Sequence, residues 1–286
     1  METSKGFTRF DNITEFKNWL DKQNVNRKIT KLQVHHTGLP DYSCFYKSNG
    51  KTEDELTRQQ SIKDFHIKTN KWKDIAQHFT IFPNGKIVTG RNLEYTPVGI
   101  TGWNTNSICI EIYGNFDKGK DIMTAEQKES VKAVYYYLSK KFKIEINSNN
   151  IKPHAWFTAS GTLLNDYIPS KSTKSCAGTN FFGYGVSKIG FEKFIKEVKA
   201  YKTSSIEAGL SQTTTNKPKE MKIKVLVDNL AVRKVADWKA EAITKVKKGQ
   251  YLIAVDLVDA KNGSTKMYKL ESGLYITSSS KYIEKV

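Results

Sequence analysis

The 286-residue chain is 38% apolar and 12% aromatic, enough to build a packed core and too much for a disordered polymer. Its net charge of +17 and pI near 9.5 point to anionic partners: nucleic acid, a membrane surface or an acidic wall polymer. That charge is spread, net +10 over residues 1–201 and net +6 over 221–286, so it is no basic tail.

Residues 11–22 predict a helix, with Asp11 or Asn12 as cap and Ile13, Phe16, Trp19 and Leu20 as its apolar stripe. Ile29–His35 reads as a strand that breaks into a Gly/Pro loop, and residues 40–51 form a loop carrying Tyr42, Phe45 and Tyr46. Glu53–Lys68 reads as a second helix, acidic in its first turn, with Ile62 and Phe65 inward. Phe79–Phe82, Pro83-Asn84-Gly85 and Lys86–Thr89 make a hairpin. In Ser107–Tyr113, alternation puts Ile108, Ile110 and Ile112 on one face and Cys109, Glu111 and Tyr113 on the other. A long helix starts at Thr124, which stands at capping-box spacing from Gln127. A last helix within 185–201 carries Ile189, Phe191, Phe194, Ile195 and Val198. This mixture predicts an α/β domain over 1–201, a central mixed sheet flanked by helices, with 1–27 as an N-terminal extension.

Residues 202–220 dissolve into Thr, Ser, Gln, Asn and Lys and read as a linker. Beyond it, 221–286 holds short strands separated by turns at Asp228-Asn229, Lys248-Gly249 and Asn262-Gly263, the pattern of a small β-barrel. Cys44, Cys109 and Cys176 are too widely spaced for a disulfide framework, which suggests synthesis in a reducing compartment. Met1–Phe10 lacks the roughly 7–15-residue apolar core of a signal peptide. No stretch reaches the roughly 18 apolar residues of a membrane span. The expectation is a protein made in a reducing cytoplasm and not inserted in a membrane; if it acts outside that membrane, something else must let it out.

Chemistry concentrates in a few side chains. His35 and His36 end a strand, where the sheet fixes a ring and the loop leaves room for a ligand; alternation alone does not choose between them. With His154 and Cys176, two imidazoles and a thiolate make the ligand set of a catalytic zinc with one position open. Glu111, alone on an isoleucine-rich strand, is the candidate base, its pKa raised by burial. Lys174 is the candidate oxyanion partner. His66 and His78, beside Phe65 and Phe79, read as packing or supporting residues.

Five motifs, Val34–Thr37, Asp74–Phe79, Pro83–Ile87, Asn106–Ile112 and Lys174–Gly178, make residues 28–200 resemble the type-2 N-acetylmuramoyl-L-alanine amidases, which include phage endolysins and peptidoglycan recognition proteins. The resemblance implies zinc held by His35, not His36, with His154 and Cys176, and an acid and a lysine at Glu111 and Lys174. It implies hydrolysis of the amide between N-acetylmuramic acid and L-alanine; His36, Trp103, Asn104 and Trp156 are the candidate substrate contacts. Gln77 stands where small phage amidases often carry Tyr, and the 22-position gap from His154 to Cys176 suggests an enlarged groove wall or lid. Leu230–Arg233, Lys247–Gly249, Met267–Lys269 and Gly273–Ile276 resemble bacterial SH3-type wall-binding domains, with Trp238, Tyr251, Tyr268 and Tyr275 as candidate contacts. The expected protein is a monomeric endolysin that lyses Gram-positive peptidoglycan and is drawn to teichoic-type polyanions. A host autolysin and a non-catalytic peptidoglycan binder are the alternatives. Nucleic-acid binding is disfavoured, for no helix-turn-helix, paired-cysteine finger or ribonucleoprotein motif is present.

Overall fold

The computed structural model describes residues 1–46, 52–201, 221–263, 265–270 and 273–285. Two compact units divide the chain, Met1–Ile206 and Glu207–Val286. The predicted linker 202–220 and the end of the predicted 40–51 loop lie outside the described residues.

The first unit runs β1 (Glu2–Ser4), β2 (Phe7–Phe10), α1 (Ile13–Asp21), β3 (Lys31–His36), α2 (Tyr42–Phe45), α3 (Glu55–Lys68), β4 (Phe79–Ile81), β5 (Ile87–Thr89), β6 (Ser107–Ile112), α4 (Ala125–Lys141), β7 (Ile151–Pro153) and α5 (Lys188–Ala200). Its strands form one mixed seven-stranded sheet in the order β1-β2-β5-β4-β6-β3-β7. Strands β4, β6, β3 and β7 run parallel to one another, while β5, β2 and β1 add antiparallel beyond β4. On one face Leu32, Val34, Ile108, Ile110 and Ile112 pack under α1, α4 and α5. On the other, α3 covers part of the sheet through Leu56 and Ile62, which meet Phe45, Phe82, Val88 and Tyr113. The isoleucine alternation therefore reports the helix-covered face, as the sequence predicts.

The N-terminal segment is no appendage. β1 and β2 form a hairpin through Lys5 and Gly6, both left-handed (φ 55° and 78°), the geometry of a two-residue hairpin turn, and β2 then pairs with β5. Asn12 caps α1 by accepting from the Glu15 amide. Phe16 of that helix packs on Phe10 and Phe79, with ring centroids 5.7 and 5.4 Å away.

Three further expectations are corrected. Phe65 is 55% exposed and Ile189 78% exposed, whereas Ile62, Phe191, Phe194, Ile195 and Val198 are buried. Thr124 caps α4 by accepting from the Gln127 amide, but the Gln127 side chain does not close the capping box. It turns inward and donates to the carbonyls of Ile81 and Tyr113, tying the ends of β4 and β6 together.

The second unit is an antiparallel all-β body, β8 (Met221–Val225), β9 (Leu230–Arg233), β10 (Ala242–Val246), β11 (Tyr251–Val258), β12 (Met267–Leu270), β13 (Tyr275–Thr277) and β14 (Ile283–Lys285). The strand order is β10-β9-β13-β12-β11-β8-β14, consistent with the SH3-like barrel expected. The sequence marks strands at Lys222–Val227, Leu230–Arg233, Tyr251–Val258, Met267–Leu270 and Leu274–Ile276; β10 and β14 are additions to these. Asn229, Gly249 and Asn262 take left-handed φ at the three predicted turns. Ile223, Val225, Val232, Tyr268 and Ile276 fill the core, which removes Tyr268 from the candidate contacts. Tyr251 is 51% exposed with the Lys222 ammonium 4.3 Å from its ring centroid, and Trp238 is half-buried.

Because α1 is built into the sheet, Phe16→Ala is expected to destabilise the first unit by about 3–5 kcal/mol. Urea denaturation followed by circular dichroism checks this; an unchanged midpoint would mean that residues 1–27 are an accessory.

Candidate metal centre and its groove

Strands β3 and β6 pair in parallel with His35 opposite Glu111 and Gln33 opposite Cys109. Residues in register across a pair project to the same face, so these four side chains gather on the face opposite α1, α4 and α5, the one that α3 partly covers. His154 follows directly on β7, the other neighbour of β3, in a single 3-10 turn, His154–Trp156. Cys176 arrives on a loop at the same strand ends. Its sulphur accepts from the His36 amide at 3.3 Å and lies 3.7 Å from His35 Nδ1.

The ligand atoms of His35, His154 and Cys176 all lie within 4.8 Å of one another, and the two imidazole centroids are 5.0 Å apart. A second grouping within the same limit, His35, Cys109 and Glu111, shares His35. The first set opens onto a groove of about 920 Å³ between the sheet and α3. Glu111, Lys174 and His36 line that groove beside the ligands, and Phe65, His66 and Trp72 form its far wall.

Burial dominates the electrostatics. It holds His35 far below the ordinary histidine range, with His154 and Lys174 adding to the effect. His154 falls to about 4 through burial and then Lys174, so both rings are neutral and present lone pairs. Burial, then the neighbouring Glu111 charge, pushes the Cys176 thiol up. Burial also raises Glu111 to about 8, partly countered by Lys174. Two neutral imidazoles and a buried thiol suit a divalent, zinc-like ion, whose charge offsets the cost of forming the thiolate there.

The loop that carries Cys176 is held by Asp117, which accepts from the Ser175 hydroxyl and from the Thr179 amide and hydroxyl. The His36 ring is engaged from behind, its Nδ1 accepting from the Phe116 amide. His78 is structural. Its Nδ1 accepts from the Cys109 amide, its Nε2 faces the Tyr95 carbonyl at 3.0 Å, and burial lowers it to about 3. His66 accepts from the Ala76 amide and lies against Trp72.

Trp156 is not at the groove. It is 1% exposed, packs on Phe191 and donates its indole N–H to the Val186 carbonyl. Trp103 packs against Phe157, and Asn104 is occupied by backbone amides; neither lines the groove. Nor is the long stretch before Cys176 a lid: Trp156 and Phe157 belong to the core, and of residues 155–176 only Lys174, Ser175 and Cys176 border the groove. Sequence reasoning missed Gln33 and Asp117, which touch the ligands or the ligand loop; a buried polar residue two positions before His35 on a strand face was the available signal for the first.

A central mixed sheet flanked by helices is the fold class of the amidase and peptidoglycan-recognition proteins. The chain belongs to the N-acetylmuramoyl-L-alanine amidase family, which matches residues 25–179. It is 32% identical over 62 residues to peptidoglycan-recognition protein SC2 of Drosophila melanogaster, covering 22% of this chain and 34% of that protein. To peptidoglycan-recognition protein 2 of Holotrichia diomphalia it is 26% identical over 137 residues, 46% of this chain and 66% of the relative. Among solved structures it is similar to the N-acetylmuramoyl-L-alanine amidase LysC from Clostridium intestinale, at 22% identity and TM-score 0.42, covering 61% of this chain and 87% of that one. The chain thus spans only about a third of the first of these relatives.

The shifts fix a pH dependence for the metal-free protein. Glu111 has a folded value near 8 against an unfolded value of about 4.3, so its contribution is full below about 4 and is lost as pH rises to 8. His36 and His154, near 4 when folded against about 6.5 unfolded, contribute above 6.5 and lose that contribution as pH falls toward 4. Glu111→Gln is expected to remove the alkaline loss. Thermal melts in chelator should then show the variant gaining on wild type between pH 6 and pH 8; parallel curves would contradict the burial of an ionisable carboxyl.

Proposed function

We propose that the protein is a zinc-dependent amidase that cleaves the bond between N-acetylmuramic acid and the L-alanine of peptidoglycan, acting as a phage or prophage endolysin on Gram-positive walls. The observation that carries this reading is the convergence of His35, His154 and Cys176 at a groove that also holds Glu111 and Lys174. Membership of the amidase family supports the bond, and the charge of +17 supports attraction to teichoic-type polyanions.

His35, His154 and Cys176 would hold the zinc, which supplies Lewis acidity to the scissile carbonyl. Glu111, half-buried beside His35, takes a proton from the attacking water and returns it to the leaving alanine nitrogen. Lys174 is exposed at the groove edge, where its ammonium faces the negative charge that develops on the carbonyl oxygen. The hydrophobic wall of Phe65 and Trp72 excludes water from one side of the bound chain. The second unit acts as a wall anchor through its basic, aromatic surface, with Tyr251 and Lys222 as contacts. Free Cys44, Cys109 and Cys176 support synthesis in a reducing cytoplasm, with action on the wall following release, and the protein works as a monomer.

Digestion of purified Gram-positive wall is expected to liberate alanine amino groups without new reducing sugar ends. Cys176→Ala and chelation should each abolish that release, and Glu111→Gln should lower it by about 10²–10⁴-fold while zinc remains bound. Wall binding without amine release would instead leave a recognition protein.

Deletion of 221–286 is expected to lower adsorption to whole wall, increasingly at low salt, more than it lowers turnover of a soluble muropeptide. Equal adsorption by the shortened chain would remove the anchor role.

A further inference from the structure

We propose that Gln33 and Asn104 form a hydrogen-bond relay that positions His35 as a metal ligand by fixing which of its ring nitrogens carries the proton, an inference that rests on the zinc reading above. The orientation of the relay is dictated by main-chain atoms. The amides of Gly99 and Ile100 both contact one side-chain atom of Asn104 at 2.9 Å. An amide N–H only donates, so that atom is the oxygen. The same oxygen lies 3.1 Å from the Gln33 side-chain amide, whose contacting atom is 3.2 Å from the Trp103 carbonyl as well. Two acceptors on one terminus make that terminus the nitrogen of Gln33. Its other terminus is then the oxygen, and it faces His35 Nε2 at 3.1 Å. His35 Nε2 therefore holds the hydrogen, and the Nδ1 lone pair points to the side where Cys176 Sγ lies 3.7 Å away.

The surroundings are built to this contact. Gln33 is fully buried on β3, opposite Cys109 of β6. A Cβ at Gly99 would stand 2.0 Å from Gln33 Oε1 and 3.0 Å from His35 Nε2, so the loop passes here only as glycine. Ligating histidines depend on such partners for ring orientation and basicity, and losing one weakens metal binding by about 10–100-fold. Gln33 is thus a positioning residue, and Asn104 acts through it rather than on substrate.

The test uses the full chain and two readouts besides turnover. Zinc affinity is measured by chelator competition, and the His35 tautomer by long-range ¹H–¹⁵N correlation on zinc-free, ¹⁵N-labelled protein. Wild type should show His35 protonated at Nε2. Gln33→Leu should lose about 10–100-fold in zinc affinity and show the Nδ1-protonated form. It should still fold, because the Trp103 carbonyl keeps the Ser107 hydroxyl and Asn104 keeps two backbone amides. Gly99→Ala leaves both side chains in the sequence and should lower affinity by pushing the Gln33 oxygen away, which keeps the test decisive if Gln33→Leu fails to fold. Wild-type tautomer and affinity in Gln33→Leu, or in Gly99→Ala where only that variant folds, would overturn the relay. Failure of wild type to bind zinc at all would overturn the metal reading instead.

Discussion

The parallel pairing of β3 with β6 is the constraint from which the site follows. Its register sets His35 beside Glu111 and Gln33 beside Cys109, while Val34 and Ile110 turn to the opposite face. A slip of one residue would send His35 into the hydrophobic core and an aliphatic side chain into the groove. The core enforces the register, since five fully buried aliphatic side chains from these two strands meet α1, α4 and α5. Packing energy on one face is thereby converted into positional accuracy on the other.

Burial does for the electrostatics what register does for the geometry. The same desolvation that keeps His35 and His154 neutral raises the Cys176 thiol and Glu111, so without a cation the cluster stores its acids protonated and its bases free. A divalent ion held there, as proposed, would reverse the acid shifts while accepting the imidazole lone pairs. Lys174 acts in the same sense from the groove edge, lowering Glu111 and the histidines together. The arrangement favours a base that ionises when the site is loaded.

Loops complete what the strands begin, and polar side chains anchor them. Asp117 gathers Ser175 and Thr179 on either side of Cys176. Asn104 gathers the amides of Gly99 and Ile100 and passes the orientation to Gln33. Neither device belongs to the His35, His154 and Cys176 cluster, yet each touches a residue or loop that does. In the second unit the turns take over this role, with Asn229, Gly249 and Asn262 in left-handed conformations between short strands.

The sequence by itself determined the mixed sheet, the helices α1, α3, α4 and α5, the aliphatic face of β6 and the small β unit, because periodicity and turn chemistry are local properties. Five spaced motifs also marked the family. The β1–β2 hairpin stayed hidden, for strands of three and four residues carry little periodicity, and only the pairing of β2 with β5 and the burial of Phe7 and Phe10 hold them in place. Trp156 read as a groove aromatic because a large ring suits a groove or a core equally, and only the presence of Phe191 and Val186 around it decides between them. Asn104 read as a substrate contact for the same reason: a polar side chain shows its use only once its neighbours are in place. What tertiary structure alone decided was proximity between positions up to 141 residues apart, such as His35 and Cys176, and the direction in which each buried polar atom faces. Those depend on contacts that no local pattern encodes.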